Sequence, residues 1–139
     1  MNVEVSLLTK EQIVNLKPQL ERLIKQGDDS SFKFVPQHKV FVVFSNDEIV
    51  ALGILNNPRG HWVFRNCIVD RKHRGNGYQR LLIGARLDYI RSRGGKRVSV
   101  GIDPKNTKSL NNILNFGFKF TKGGMSHNDH WYQKLYKIM

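Results

Sequence analysis

Residues 71–82 read RKHRGNGYQRLL. Arg71, Lys72, His73 and Arg74 crowd one end, Gly75 and Gly77 follow, and a helical pattern takes over. Glycines at this spacing permit positive φ and strip side chains from the approach, so successive N–H groups can converge on an anion. A helix start adds unpaired N–H groups and a partial positive charge. Phosphate oxygens suit such a turn, and Arg74 adds a charge beside them. The run is not a P-loop, because no Gly-Lys-Ser/Thr follows. It is not a dinucleotide fingerprint either, because a third glycine and a well-placed acidic residue are missing. Taken alone, G-x-G is equally a tight turn that caps a helix.

A second polar set begins 29 residues after Gly77, in NTKSLNNILNFGF at 106–118. Asn106 is a good N-cap, and Ser109 and Ile113 lie three and seven positions further along one helical face. Asn106 and Ser109 could reach a ligand lying along neighbouring strands; simple capping is the alternative for either one.

The elements that must position these residues follow from periodicity. NVEVSLL at 2–8 alternates as a strand. Thr9 and Gln12 form a capping box, and Ile13, Leu16, Leu20, Leu23 and Ile24 share a helical face. Pro18 predicts a kink or two short helices, with Gly27 ending the element. KVFVVFS at 39–45 and EIVALGIL read as a hairpin, and HWVFRNCIV at 61–69 is the next strand. Leu82, Ala85, Arg86, Tyr89 and Ile90 mark a helix over about 76–93, closed by Gly94 and Gly95. RVSVGI at 97–102 is a strand, 106–115 a short helix, FKF a short strand, TKGGMSHNDH a loop and WYQKLYKI a final strand. The strands flanking the 76–93 helix should run parallel and the rest antiparallel, in an α/β fold with a mixed sheet.

At 139 residues, one domain spanning 1–139 is expected. A formal net charge of +12 predicts polyanionic company: nucleic acid, a phosphorylated cofactor, acidic proteins or a membrane surface. The single cysteine, Cys67, excludes an intrachain disulfide and a cysteine-based zinc cluster. MNVEVSLLTKEQ lacks the layout of a signal peptide, and VFVVF at 40–44 is too short to span a bilayer. A cytoplasmic protein without a membrane anchor is therefore expected.

With both segments in view, IVDRKHRGNGYQRLLIGARLDYI resembles motif A of the GNAT superfamily of acyl-CoA N-acyltransferases, whose core is Arg/Gln-x-x-Gly-x-Gly/Ala. DPKNTKSLNNILNFGF resembles its motif B, with an Asn at the helix start and a closing Gly-Phe. The strand order matches too, so the resemblance spans roughly residues 2–138. It implies a GNAT-like mixed, mostly antiparallel sheet with a splayed parallel strand pair, flanked by helices. Arg74 fills the first slot of the motif and Gly77 the fourth; the sixth holds Gln79 instead of Gly or Ala. The resemblance implies acetyl-CoA as co-substrate. The N–H groups of Gly75, Asn76, Gly77, Tyr78, Gln79 and Arg80 would hold the pyrophosphate, and the backbone of Ile68 and Val69 would pair with the pantetheine arm. Asn106 would contact pantetheine with Ser109 nearby, in a gap between the parallel strands near Val69 and Val100.

The implied reaction is direct attack of an amine on the thioester, with a backbone N–H near Ile68 or Val69 stabilising the oxyanion. Many relatives carry a tyrosine in motif B as general acid; its slot holds Ile113, which donates no proton. Tyr78, Tyr132 and Tyr136 are the nearby or terminal-strand phenols, with core or surface roles expected. Asp70 is expected to be a solvated turn residue, Asp103 to shape its turn, and His61 to lie at the wrong end of its strand, leaving water on backbone carbonyls as base. Cys67 is expected to be a small buried hydrophobe. His127, Asp129 and His130 read as loop, so no metal is expected. Arg71, Lys72, Arg74 and Arg80 surround the phosphate site; Arg91, Arg93, Lys96 and Arg97 suit a helix C-terminus.

The resemblance implies a small-molecule or peptide amine as acceptor, met by residues 25–38 and 121–131, while the sequence itself does not identify it. A monomer or a homodimer paired through the apolar last strand both fit. The alternative from a different class is a basic nucleic-acid-binding module on the same scaffold, motivated by the charge and by Trp62 and Trp131.

Overall fold

The computed structural model describes residues 2–27, 32–127 and 130–139, with residues 125–127 and 130 described by backbone alone. The elements are β1 (Val3–Leu7), α1 (Lys10–Asn15), α2 (Lys17–Ile24), β2 (Lys39–Ser45), β3 (Glu48–Asn56), β4 (Trp62–Val69), α3 (Tyr78–Ser92), β5 (Arg97–Ile102), α4 (Thr107–Asn115), β6 (Lys119–His127) and β7 (His130–Ile138). The strands form one sheet in the order β1-β2-β3-β4-β5-β7-β6. Among the described residues, only β4 and β5 pair in parallel.

Local chemistry sets the early elements. The Thr9 hydroxyl accepts from Gln12 N at 3.1 Å, while the Gln12 side chain accepts from Thr9 N at 2.8 Å. Pro18 lies in the first turn of α2, so the broken pattern resolves as two short helices. Asn46 and Asp47 both hold positive φ, 51° and 67°, which suits a two-residue hairpin turn between β2 and β3.

The two faces of the sheet bury separate cores. Val40, Val42, Ile49, Leu52, Ile54 and Ile68 pack with Leu20, Leu23 and Ile24 of α2. Phe41, Val43, Leu55, Phe64, Val98, Val100 and Leu135 pack with Leu82, Ile83, Leu87 and Ile90 of α3 and Ile113 of α4. Strands this apolar are covered on both sides, as their near-continuous hydrophobic runs require.

Two expectations are corrected. The stretch read as FKF plus a loop is one strand, β6, paired with β7 from Lys119↔Tyr136 to His127↔His130. Its register slips between Phe120 and Gly124, so the polar, glycine-rich sequence shows no alternation although its backbone is paired. The last strand is also not a free edge: β7 lies between β5 and β6. Dimer pairing along β7 is thereby excluded, and the sheet's outer strands are β1 and β6.

The feature that shapes the site is in β4. Gly53 of β3 pairs with Cys67 and Leu55 pairs with Phe64, so Arg65 and Asn66 together oppose Ile54. This is a β-bulge, which bends its strand and increases local twist. Pairing between β4 and β5 runs through Trp62↔Val98, Val63↔Ser99 and Phe64↔Val100 and stops there. The bulge begins at the next residue, and the two strands diverge beyond it.

Candidate functional site

The divergence opens a cleft of about 870 Å³ between β4 and β5, reaching the start of α3 and the flank of α4. That size suits a small-molecule ligand. Ile68 and Val69 line it from β4, and Val100, Gly101 and Ile102 from β5. From Arg65 to Val69 the β4 edge has no ladder partner on β5. An extended ligand can add there as a strand would.

At the carboxyl end of β4 lies the glycine turn. Gly75 and Gly77 hold φ of 85° and 78°, and a Cβ at either would meet nothing within 4 Å. Backbone conformation, and not crowding, therefore requires glycine at both positions. Gly77 is the N-cap of α3 and supplies no side-chain cap, which leaves the first α3 amides to a ligand. Arg74 Nε donates to Val69 O at 3.3 Å, and Asn76 Nδ2 donates to His73 O at 2.9 Å, so the turn is tied to the end of β4. Arg80 is exposed on the first turn of α3, and the Tyr78 ring is buried in the core.

Gln79 occupies the place where motif A carries a small residue, and its side chain has a defined task. Nε2 donates to Ser109 Oγ at 2.7 Å, while Oε1 accepts from Asn112 Nδ2 at 2.8 Å. The amide thus bridges α3 to α4 along the cleft wall. Asn106 Oδ1 accepts from Ser109 N at 3.2 Å, so Asn106 acts as the helix cap while also lining the cleft. Asn112 was not singled out by sequence reasoning; its position six residues after a good N-cap carries no signal by itself.

These parts describe a cleft with an open strand edge at one wall and an open helix start at its end. The acetyltransferase (GNAT) family model matches residues 7–118. The chain belongs to the GNAT acetyltransferase family. No curated protein sequence matches it. Among solved structures, it is similar to the ribosomal-protein-S18-alanine N-acetyltransferase from Escherichia coli, with a TM-score of 0.75 at 14% identity over 97% of this chain and 91% of that one. It is similar to the aminoglycoside 6'-N-acetyltransferase from Enterococcus faecium, with a TM-score of 0.76 at 18% identity over 97% and 96%. An acetyltransferase from Bacillus subtilis in complex with CoA gives 0.73 at 13% identity over 99% of each chain. At such identities the likeness is one of fold.

Within the GNAT cleft, the candidate acid–base residues divide clearly. Ile113 is buried in the core and lines the cleft at the tyrosine slot. Tyr132 also lines the cleft, from β7. Tyr136 lies under the Arg97 guanidinium, 4.5 Å from ring centroid to Cζ. Asp103 Oδ1 accepts from Lys105 N at 2.9 Å and shapes the turn before α4. His61 precedes β4 at the end away from the glycine turn.

Asp70 is a correction. It is only 5% exposed and is not a solvated turn residue. Gln26 Nε2 donates to its Oδ1 at 2.8 Å, His73 Nδ1 lies 2.7 Å from Oδ2, and Arg22 Nη1 is 3.8 Å away. The hydrogen bond from Gln26, with those of His73 and the Arg22 charge, holds its carboxyl below the ordinary value against the opposing effect of burial. Gln26 Oε1 also accepts from Arg71 N at 3.0 Å. The network fixes the approach to the glycine turn from the α2 side.

Cys67 packs against the core on the α3 side beside Arg86. Burial raises its thiol pKa, an effect that the Arg86 charge and hydrogen bond partly oppose. A protonated thiol is a poor nucleophile. Arg86 itself is 1% exposed: Nε donates to Leu82 O at 3.1 Å, Nη1 to Ile54 O at 3.2 Å, and Cζ lies 3.9 Å from the Phe64 ring centroid. Gly53 makes room for it, since a Cβ there would stand 3.1 Å from the guanidinium. Asp129 lies outside the described residues, as do the side chains of His127 and His130. Among the described residues, no group of His, Cys, Asp and Glu could hold a metal ion, and no helix is long and apolar enough to cross a membrane.

Proposed function

We propose that the chain is an N-acetyltransferase that moves an acetyl group from acetyl-CoA to a primary amine by direct attack in a ternary complex. The observation that carries this reading is the unpaired β4 edge beyond Phe64, leading straight to a helix start opened by Gly77. The amides of Gly75, Asn76, Gly77, Tyr78, Gln79 and Arg80 hold the pyrophosphate, with Arg74 beside them. The backbone of Ile68 and Val69 pairs with the pantetheine arm, and Asn106 and Ser109 flank it from α4. The open glycine turn supports the pyrophosphate assignment, and the CoA complex of a structural neighbour supports the choice of co-substrate.

The arm then brings the thioester to the diverging strands, where a backbone N–H near Ile68 or Val69 faces the developing oxyanion. The ammonium first loses a proton to cleft water, the neutral amine forms the C–N bond at the thioester carbonyl, and the adduct nitrogen then gives its extra proton to water. The C–S bond breaks, and the sulfur leaves as thiolate. Ile113 supplies no proton to it from α4. Binding of both substrates in one cleft adds acceleration by proximity.

Acetyl-CoA at about a hundredfold excess over its Kd stabilises a protein by about 2.7 kcal/mol if it binds the folded state alone. A raised melting temperature, with free thiol released when amines are added, is the expected result. No shift at saturating acetyl-CoA overturns the proposal.

A further inference from the structure

We infer that the acceptor amine also carries an anionic group, a carboxylate or a phosphate, which the cleft engages through Arg65 and Lys134. This rests on the reading above, that the cleft joins acyl-CoA to an amine. Side chains alternate along each strand. On β5, Val98, Val100 and Ile102 enter the core beneath α3, so Ser99 and Gly101 face the other way. On β7, Leu135 enters that same core, so Lys134 and Tyr132 share the opposite face. Both line the cleft. From β4, Arg65 lines it too, near enough to His38 to act on the imidazole electrostatically. His38 in turn stacks on Phe32, with ring centroids 5.3 Å apart, and both line the same mouth. Arg65 thus stands on the β4 lip of the gap and Lys134 one strand behind the β5 lip, beside Gly101, on the face away from α3, with a flat aromatic pair beside Arg65.

Among the described residues, neither cation has an anionic partner. Ion pairs among the described residues use the carboxylates of Glu21, Glu48, Asp70 and Asp88, and none of these pairs includes Arg65 or Lys134. Asp103 is the one carboxylate among the described lining residues, and it follows the end of β5. Lys134 is half-buried, so its charge is less screened than that of a surface lysine. The phosphates of the co-substrate are met elsewhere, at the start of α3, and leave this pair of charges unused. Arg65, Arg74, Arg86, Lys108 and Lys134 outweigh Asp103 in the lining, and such an excess of positive charge concentrates anionic ligands. A polycationic amine is repelled by both cations, whereas an amine with a carboxylate or phosphate at its far end has two partners.

The test uses matched amines with saturating acetyl-CoA: para-aminomethylbenzoate against its carboxamide, and para-aminomethylphenyl phosphate against the parent phenol. A polycationic aminoglycoside completes the set. In at least one pair the anionic member should show kcat/KM higher by about tenfold, the equivalent of one charge-assisted hydrogen bond. The responding pair tells carboxylate from phosphate. That advantage should shrink with added salt. Lys134→Gln and Arg65→Gln should bring the ratio toward one while acetyl-CoA still raises the melting temperature, and Lys134→Arg should restore it. Equal or better turnover of the neutral amines or the aminoglycoside overturns the inference and leaves the transferase intact. So does a protein that acetyl-CoA stabilises but that acetylates none of the five. Absence of any acetyl-CoA stabilisation overturns the transferase reading itself.

Discussion

β3 and β4 are neighbours in one sheet, and they treat their second edge in opposite ways. β3 is paired with β2 and β4 along nearly its whole length, and Ile49, Val50, Ala51, Leu52, Ile54 and Leu55 are fully buried. β4 is paired with β3 to its end but with β5 only through Phe64. One strand secures the fold, and the other leaves main-chain groups for a ligand. The difference arises from a single extra residue at Arg65–Asn66, not from composition.

The comparison predicts separable losses. Leu52→Ala should cost about 2–5 kcal/mol, read from urea unfolding, because a fully buried side chain leaves a cavity. Acetyl-CoA should still raise the melting temperature of this variant; a lost shift would mean that the two strands are not functionally distinct. Gly77→Val forces a β-branched residue to φ 78°. It should cost about 1–3 kcal/mol of stability and abolish the acetyl-CoA shift, the reverse pattern. A surviving shift would remove the glycine turn from the cofactor site.

A smaller effect sharpens the boundary between core and site. Gln79→Ala removes two hydrogen bonds between α3 and α4 and should lower stability by about 1 kcal/mol. If chemical unfolding shows no change, the bridge carries no net stability. The smallest change is a pH response. The depressed pKa of Asp70 adds stability that is present in full above its unfolded value of 3.8 and lost as pH falls through the folded value. Asp70→Asn should therefore show a shallower acid decline in urea midpoint than the parent. Equal slopes would separate Asp70 from acid stability.

Much of the frame was legible. The capping box at Thr9, the proline break, the buried hairpin and the helix after Gly77 each followed from local chemistry that the tertiary structure did not override. The motif residues also pointed to the cleft, because Gly75, Gly77 and Asn106 answer to backbone needs visible in sequence. The bulge was not legible: Arg65 and Asn66 carry no local mark, and the kink exists only relative to β3. Asp70 read as solvated because its partners, Gln26 and Arg22, lie more than 40 residues away in sequence. β6 was hidden by Gly123 and Gly124, since its strand conformation comes from β7 and not from propensity.

The position of β7 has a consequence for how the molecule comes into being. Chains emerge amino-terminus first, yet β6 reaches the sheet only through the strand made after it. A nascent chain extended through α4 already holds the glycine turn and both lips of the gap, but lacks Tyr132 and Lys134. The glycine turn can therefore take shape before the part of the cleft wall that β7 supplies.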